Sequence, residues 1–561
     1  MIINGMMMTA IALPKPWGIP DWLKIGLAGL LGIILMFSTA TSNLFNVTVT
    51  VPAGSLTYQE GGDPGDETDP ALDVDAASRR YICSIGGSDA NTGLTQAQAW
   101  ATINKIAPEW AGIPSNAIIV LCRGGTWGAS SITNKAGTTD SPTAIGAYGA
   151  CTASAFFDNI CSNAPRITGD MSFNQSSWLT VRDLSVRRFD TSFGSHHILV
   201  YRNQGKGPEG VSANVFRSFG ASHHMVFVEN IATDATGNDY FSAHRDSGAG
   251  RINNRDGWWY IDNICLGNGG EDCIDLANAE VDDGFDQYVT LDSKVIANRF
   301  LGQGLVGYST QVGTPAKCNN SGHEGKYYWW VGNICLGWTG SNQWNFARDP
   351  GTGKDAAQIS GNFIIGDVSS NTDMFRNFAT NQNIFHNTLI QNGTTGNVSL
   401  IDGNSQKYDY NISVHQQTNT EQIIDTVTAD GQITSMNNNW YGLATGKIIT
   451  DGETLAQRQV STSFDANSDE GAITGFTMPT AATYPNPNTW RDAAFLDDIT
   501  PSVVWSGCDG ANTPGARDCT GNYIGWELNV ITGADNGGCG WDGLPIVPVK
   551  LAELGVTGDC V

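Results

Sequence analysis

The sequence predicts an all-β fold, a right-handed parallel β-helix (solenoid), and three observations carry that prediction. The first is a recurring phrase in which a short apolar run meets an Asn followed by another residue of the next run. It reads VFVENI at 226–231, WYIDNICLG at 259–267, KVIANRFLG at 294–302, YWWVGNICLG at 328–337, QISGNFIIG at 358–366, NIFHNTLI at 383–390 and YDYNISV at 408–414. The second is spacing. The Asn residues stand at 230, 263, 298, 333, 362, 387 and 411, in steps of 33, 35, 35, 29, 25 and 24, the range in which one strand-bearing unit stacks on the next. The third is composition: 67 Gly and 15% charged residues among 561 suit turn-rich strands better than helices.

The elements follow in order. Lys15 and Lys24 precede an uncharged apolar stretch at 25–37, then Ser38, Thr39 and Ala40. The small residues fit signal-peptidase cleavage. The charge-free run also extends to Phe45, long enough to span a bilayer. Residues 1–45 therefore read as a signal peptide or an N-terminal membrane anchor, and either places the rest of the chain in a secreted or cell-surface setting. Residues 46–79 are acidic and rich in Gly and Pro, a flexible linker. Residues 80–164 read as an N-terminal cap with first coils, 165–441 as the β-helix body, and 442–561 as C-terminal coils or cap.

The net charge of −25 argues against a nucleic-acid partner, since phosphate binding needs clustered Lys and Arg. It is compatible with calcium and with plain solubility. Twelve Cys in an exported chain read as disulfides, and the close pairs in loop-like stretches are Cys151/Cys161, Cys508/Cys519 and Cys539/Cys560. No C-x-x-C zinc spacing occurs. Cys265 and Cys335 share one slot of the repeat and are expected as buried ladder residues.

Near the N-terminal end, GSDANTGL and AWATINK are followed by GGTW and by AIGAYG at 144–149. This run resembles the opening of secreted right-handed parallel β-helix proteins, the pectate lyase-like superfamily that includes pectate, alginate and chondroitin lyases. The stretch at 508–528 is similar to an ending common in that superfamily. The resemblance spans roughly residues 80–530 and implies fold and location; non-enzymatic surface proteins share it.

Counting from each repeat Asn aligns the coils. At +11 stand Phe241, Ile274, Trp344 and Val398, and at +13 Ala243, Leu276, Phe346 and Leu400. Between them, Ser242, Asp275, Asn345 and Ser399 form a polar row that alternation sends outward. Within this frame GGEDCIDL at 269–276 places Glu271, Asp272 and Asp275 together, and Asp239 takes the slot of Asp272 one coil earlier. Four carboxylates so close repel one another unless a cation or protons intervene, and oxygen ligands from turns suit Ca²⁺. The competing reading is that these Asp residues cap backbone N–H groups in turns. The three longest repeats are consecutive around Asp275, and insertions gathered at one place on a scaffold build binding walls. Tryptophans cluster there too, with Trp259 and Trp344 on expected inward positions.

The segment resembles two enzyme families. Calcium-dependent pectate lyases with a D-D-x-x-D cluster are similar at Glu271-Asp272-Cys273-Ile274-Asp275. That likeness implies Ca²⁺ on the acids, a Lys that removes the C5 proton, and an acidic polysaccharide as partner; where the Lys falls, this chain has Gly304-Leu305-Val306. Polygalacturonase-like hydrolases carry G-D-D-C-I, G-H-G-L and R-I-K. Here Gln303 replaces the His and no R-I-K follows. His244 and Arg245, one coil before the acids, are the candidates for base or charge stabiliser, with Lys294 and Lys326 as alternatives. The pairs His196-His197 and His223-His224, 27 residues apart, are expected to stack at strand starts; four imidazoles could also hold a transition metal. Three functions follow: a lyase acting by calcium-assisted β-elimination on an acidic glycan, a non-catalytic glycan-binding surface protein, and an inverting hydrolase using Asp272 and Asp275.

Overall fold

A computed structural model of the chain describes residues 79–471, apart from turns and connecting segments, chiefly 245–257, 277–289, 302–316 and 347–356. The coils wind as parallel strands. One coil runs Trp258–Ile261, Ile264–Leu266, Asp272–Asp275; the next runs Lys294–Ile296, Arg299–Leu301, Lys317–Ser321. Each strand pairs in parallel with its counterpart one coil on, as Tyr260 with Val295, Cys265 with Phe300 and Asp275 with Asn320. The first sheet has thirteen strands, from Arg79–Ile82 to Ile433–Ser435. The second and third sheets form the other two sides of the solenoid. This is the parallel β-helix that the repeat predicts.

The repeat Asn makes the corner between the first and second sheets. The residue before it is left-handed in each coil from Asn203 to Asn411: φ is 52° at Glu229, 53° at Asp262, 58° at Ala297 and 54° at His386. A single left-handed residue interrupts the in-out alternation and turns the chain sharply. The following Asn then points inward, fully buried. Its amide replaces the ladder bonds that the corner breaks. Asn263 donates from its backbone N and Nδ2 to Asn298 Oδ1 at 2.8 and 3.0 Å, and from Nδ2 to the Phe227 carbonyl at 2.9 Å. The ladder also takes in Asn203 and Asn439, which the apolar phrase does not display because Gln204 and a run of Asn flank them. Ser468 ends it, its Oγ accepting from the Asn439 N–H at 2.9 Å.

The interior is apolar and stacked in columns, with Phe227 on Tyr260 at 5.0 Å and Phe216 on Phe241 at 5.0 Å, the ring planes nearly parallel in both pairs. Three expectations need correction. The inward residue of the WWYI strand is Trp258, not Trp259: Trp258 and Tyr260 join the core, and Trp259 pairs with Val226 and Lys294 in the alternate column. Ser399 is not in the outward row. It pairs with Phe375, is fully buried, and its Oγ lies 3.4 Å from the Tyr408 hydroxyl in the core. The stretch between the second and third sheets varies in length, so counting from Asn loses phase by one residue there. Cys265 and Cys335 are bridged rather than free: the disulfides are Cys265–Cys273 and Cys318–Cys335, with Cys83–Cys122 and the expected Cys151–Cys161. The columns do bring Cys265 and Cys335 into one slot, but each finds a nearer partner across the coil interior. Cys508, Cys519, Cys539 and Cys560 lie outside the described residues, as does the N-terminal apolar stretch. Among the described residues no helix is long and apolar enough to cross a membrane.

The paired histidines stack as expected, His196 on His223 at 4.9 Å and His197 on His224 at 4.5 Å. Burial first, then the neighbouring imidazoles, lowers His197 to about 3 and His223 to about 4. Both values lie below that of a histidine in the unfolded chain, about 6.5. Protonation therefore opposes folding, and stability is full above that value and declines as pH falls toward 4. The melting temperature should be lower at pH 5 than at pH 7.5, and this difference should shrink in a His197→Gln/His223→Gln variant. An equal pH shift in both proteins would refute the assignment.

Candidate metal centre on the third sheet

The chain enters the third sheet through a polar corner. The Val215 N–H donates to the Asp239 carbonyl at 3.1 Å and the Tyr240 N–H to the Asp272 carbonyl at 2.9 Å. These bonds stack Asn214, Asp239 and Asp272 on three successive coils. Asp275 follows three residues after Asp272, in the outward row of its strand. That row runs Asp190, Arg217, Ser242, Asp275, Asn320 by backbone pairing. Alternation and stacking thus bring Asp239, Asp272 and Asp275 to one place. One oxygen from each lies within 4.8 Å of the others, and all three side chains are buried, Asp272 at 1% exposure.

The trio gathers like charges at one corner. Where a carboxylate in this column meets an amide, the pairing is complementary: Asn214 Nδ2 donates to Asp239 Oδ2 at 3.2 Å, and Asn397 Nδ2 to Asp373 Oδ1 at 2.8 Å. Asp239 and Asp272 instead set carboxylate against carboxylate on adjacent coils, with Asp275 as a third. Like charges at this separation in a buried place are costly without a counter-charge. The Tyr260 hydroxyl, fully buried, has no hydrogen-bond partner among the described residues. Burial, then the Asp275 carboxylate, pushes that phenol up. The Cys265–Cys273 bridge pins the residue next to Asp272 to the second sheet, which holds the corner rigid. An all-oxygen donor set of this kind suits Ca²⁺.

Three of the four expected metal ligands therefore come together. Glu271 and Arg245 lie outside the described residues. His244 closes the strand Phe241–His244 and pairs through its backbone with Phe219. Lys294 belongs to the first sheet, and Lys326 to a short pairing with Leu291. Neither strand carries the acids. Sequence reasoning missed Asn214, Arg217 and Lys317. Asn214 and Arg217 sit in the coil of Asn203, whose corner the apolar phrase does not mark. Lys317 pairs through its backbone with Asp272, but 19 residues separate it from Asn298, beyond the spacing of the other coils. Arg217 is held by Asp190, Nη2 to Oδ2 at 2.8 Å. Arg187 and Arg188 both pair with Asp170, so fixed cations stand on the coils that precede the acidic centre.

No family model matches the chain, and no curated protein matches it. Among solved structures it is similar to pectate lyase Pel9A, at 12% identity over 80% of this chain and 95% of that one, with a TM-score of 0.36. It is similar to a mannuronic acid specific polysaccharide family 6 lyase from human gut microbiota, at 12% identity over 75% and 98%, TM-score 0.36. A third is the GH136 lacto-N-biosidase from Eubacterium ramulus, at 12% identity over 70% and 68%, TM-score 0.26. Likenesses at these scores assign neither activity nor substrate. The strand pairing of its own coils is what makes this chain a parallel β-helix protein.

Proposed function

We propose that the protein is an extracellular polysaccharide lyase that cleaves an acidic glycan by β-elimination, with Ca²⁺ held by Asp239, Asp272 and Asp275 and by Glu271, the residue before Asp272 in the sequence. The observation that carries this reading is the meeting of three buried carboxylates within 4.8 Å on the outer side of the solenoid. Calcium, when bound, neutralises a uronate carboxylate and makes the adjacent C5 proton more acidic. The chain's own residues do the rest. The Asp trio fixes the cation, and the Cys265–Cys273 bridge fixes the trio. Arg217 and Arg188, oriented by Asp190 and Asp170, offer cationic contacts to further sugar carboxylates along the coil axis. His244, Arg245 and Lys317 flank the acids along the chain or in register and are the candidates to take the proton, His244 as the imidazole among them.

A second reading is a non-catalytic glycan-binding surface protein in which the ion is structural. The deep burial of Asp272 favours it, because an ion that meets substrate needs an open coordination position. The inverting-hydrolase reading fits less well: it needs carboxyl groups about 6.5–9.5 Å apart with a water between them, and Asp272 and Asp275 approach more closely than that.

The test is ultraviolet absorbance of unsaturated products from pectate, alginate and glycosaminoglycans with the full chain. A signal that needs calcium and is lost in Asp275→Ala is the expected result. A flat signal across the panel, with calcium still bound, would overturn the lyase in favour of the binder.

A further inference from the structure

We propose that His197, His223 and His224 form a second metal site, for one divalent transition-metal ion of the Zn²⁺ class, with His196 orienting the set. The site lies where the chain enters the first sheet, at the starts of His196–Tyr201 and His223–Val228, whereas the acidic centre lies at the entry to the third. It is independent of the lyase reading.

The argument begins with backbone geometry. In each pair the second His is left-handed, φ 53° at His197 and 51° at His224. Two consecutive residues of an extended strand point to opposite sides; a left-handed second residue brings both rings to one side. Their Nδ1 atoms then face each other, at 2.8 Å in His196–His197 and 2.6 Å in His223–His224. Stacking of the coils sets the two pairs face to face. Ring nitrogens of His197, His223 and His224 lie within 4.8 Å of one another. All four rings are half-buried, so an ion has access from solvent. Trp178, stacked on His197 at 3.9 Å from the preceding coil, closes one end of the column.

Three converging imidazoles are a donor set for Zn²⁺, Cu²⁺ or Ni²⁺ and a poor one for Ca²⁺ or Mg²⁺. A purely structural ladder does not require this composition. The same two register positions one coil earlier hold Ser177 and Trp178, with the same left-handed turn at Trp178, φ 54°. The corner therefore accepts other side chains, and four imidazoles are not a demand of the fold.

The experiment is calorimetric titration of ZnCl₂ into the full chain with calcium in excess. The expected result is one saturable ion per chain, with affinity falling at least tenfold in His197→Gln and in His224→Gln and unchanged in Asp275→Asn. The double variant His223→Ser/His224→Trp copies the preceding coil, so it keeps a backbone the fold already uses while removing two ligands; it should lose the ion. Cobalt in place of zinc should give the strong visible absorption of a four-coordinate site. No saturable heat, or binding that survives the histidine variants, or binding that is lost in Asp275→Asn, would overturn the proposal.

Discussion

Asp272→Asn is expected to abolish calcium binding at the third-sheet corner and, in the absence of calcium, to raise the melting temperature. The two effects have opposite signs because neighbouring carboxylates repel one another and a bound cation offsets that repulsion. Asp272 is fully buried against Asp239 and Asp275, so replacing it with an amide removes like-charge repulsion and adds a donor, as in the Asn214–Asp239 pair. With calcium at a hundred times its dissociation constant, the parent protein gains about 2.7 kcal/mol from binding; the variant gains none. Activity, if the corner is catalytic, should fall at least a hundredfold. Thermal melts of both proteins in chelator and in calcium decide the matter. If Asp272 only caps the turn, the variant will melt lower in both buffers, and the parent will show no calcium shift.

The largest effect on stability is expected from Asn298→Ala. The Asn298 amide accepts from the backbone N–H and Nδ2 of Asn263 and donates to the Tyr260 carbonyl and to Asn333 Oδ1. Truncation strands several buried polar groups at once, each costing about 1–3 kcal/mol, so a loss of roughly 3–5 kcal/mol is expected. Asn298→Asp should be no milder, since it keeps the acceptor but removes the donor and brings a charge into a buried column. Urea unfolding of the full chain measures this directly; a loss below about 1 kcal/mol would mean that the ladder follows from the fold rather than supporting it.

The fold was legible because its two rules are local. A repeat Asn marks a corner, and alternation sorts the strand that leads to it. Those rules place Phe241, Ile274, Ser242 and Asp275 where the structure has them, and they bring Asp239 and Asp272 into one column. They fail where spacing between corners changes. Ser399 slips into the core by one residue, and Lys317 arrives beside Asp272 after a connection whose length no local pattern encodes. The disulfides were only partly legible for the same reason. Cys151 and Cys161 are close along the chain, whereas Cys318 and Cys335 meet across the interior of the coil. Trp259 was misplaced because WWYI offers two phases of alternation, and only pairing with Val226 distinguishes them.

The Asn corner has one more consequence. From Asn203 to Asn411 each side-chain amide accepts from the coil before it and donates to the coil after it, so these amides form a head-to-tail chain, with their dipoles pointing the same way along the axis. Hydrogen bonds in such a chain polarise one another. The spacing agrees: Nδ2 to Oδ1 is 2.9–3.0 Å from Asn230 to Asn411, but 3.2 Å at the first link and 3.5 Å at the last. The amide column is therefore electrically directional, and the same substitution is expected to cost more at its middle links than at either end.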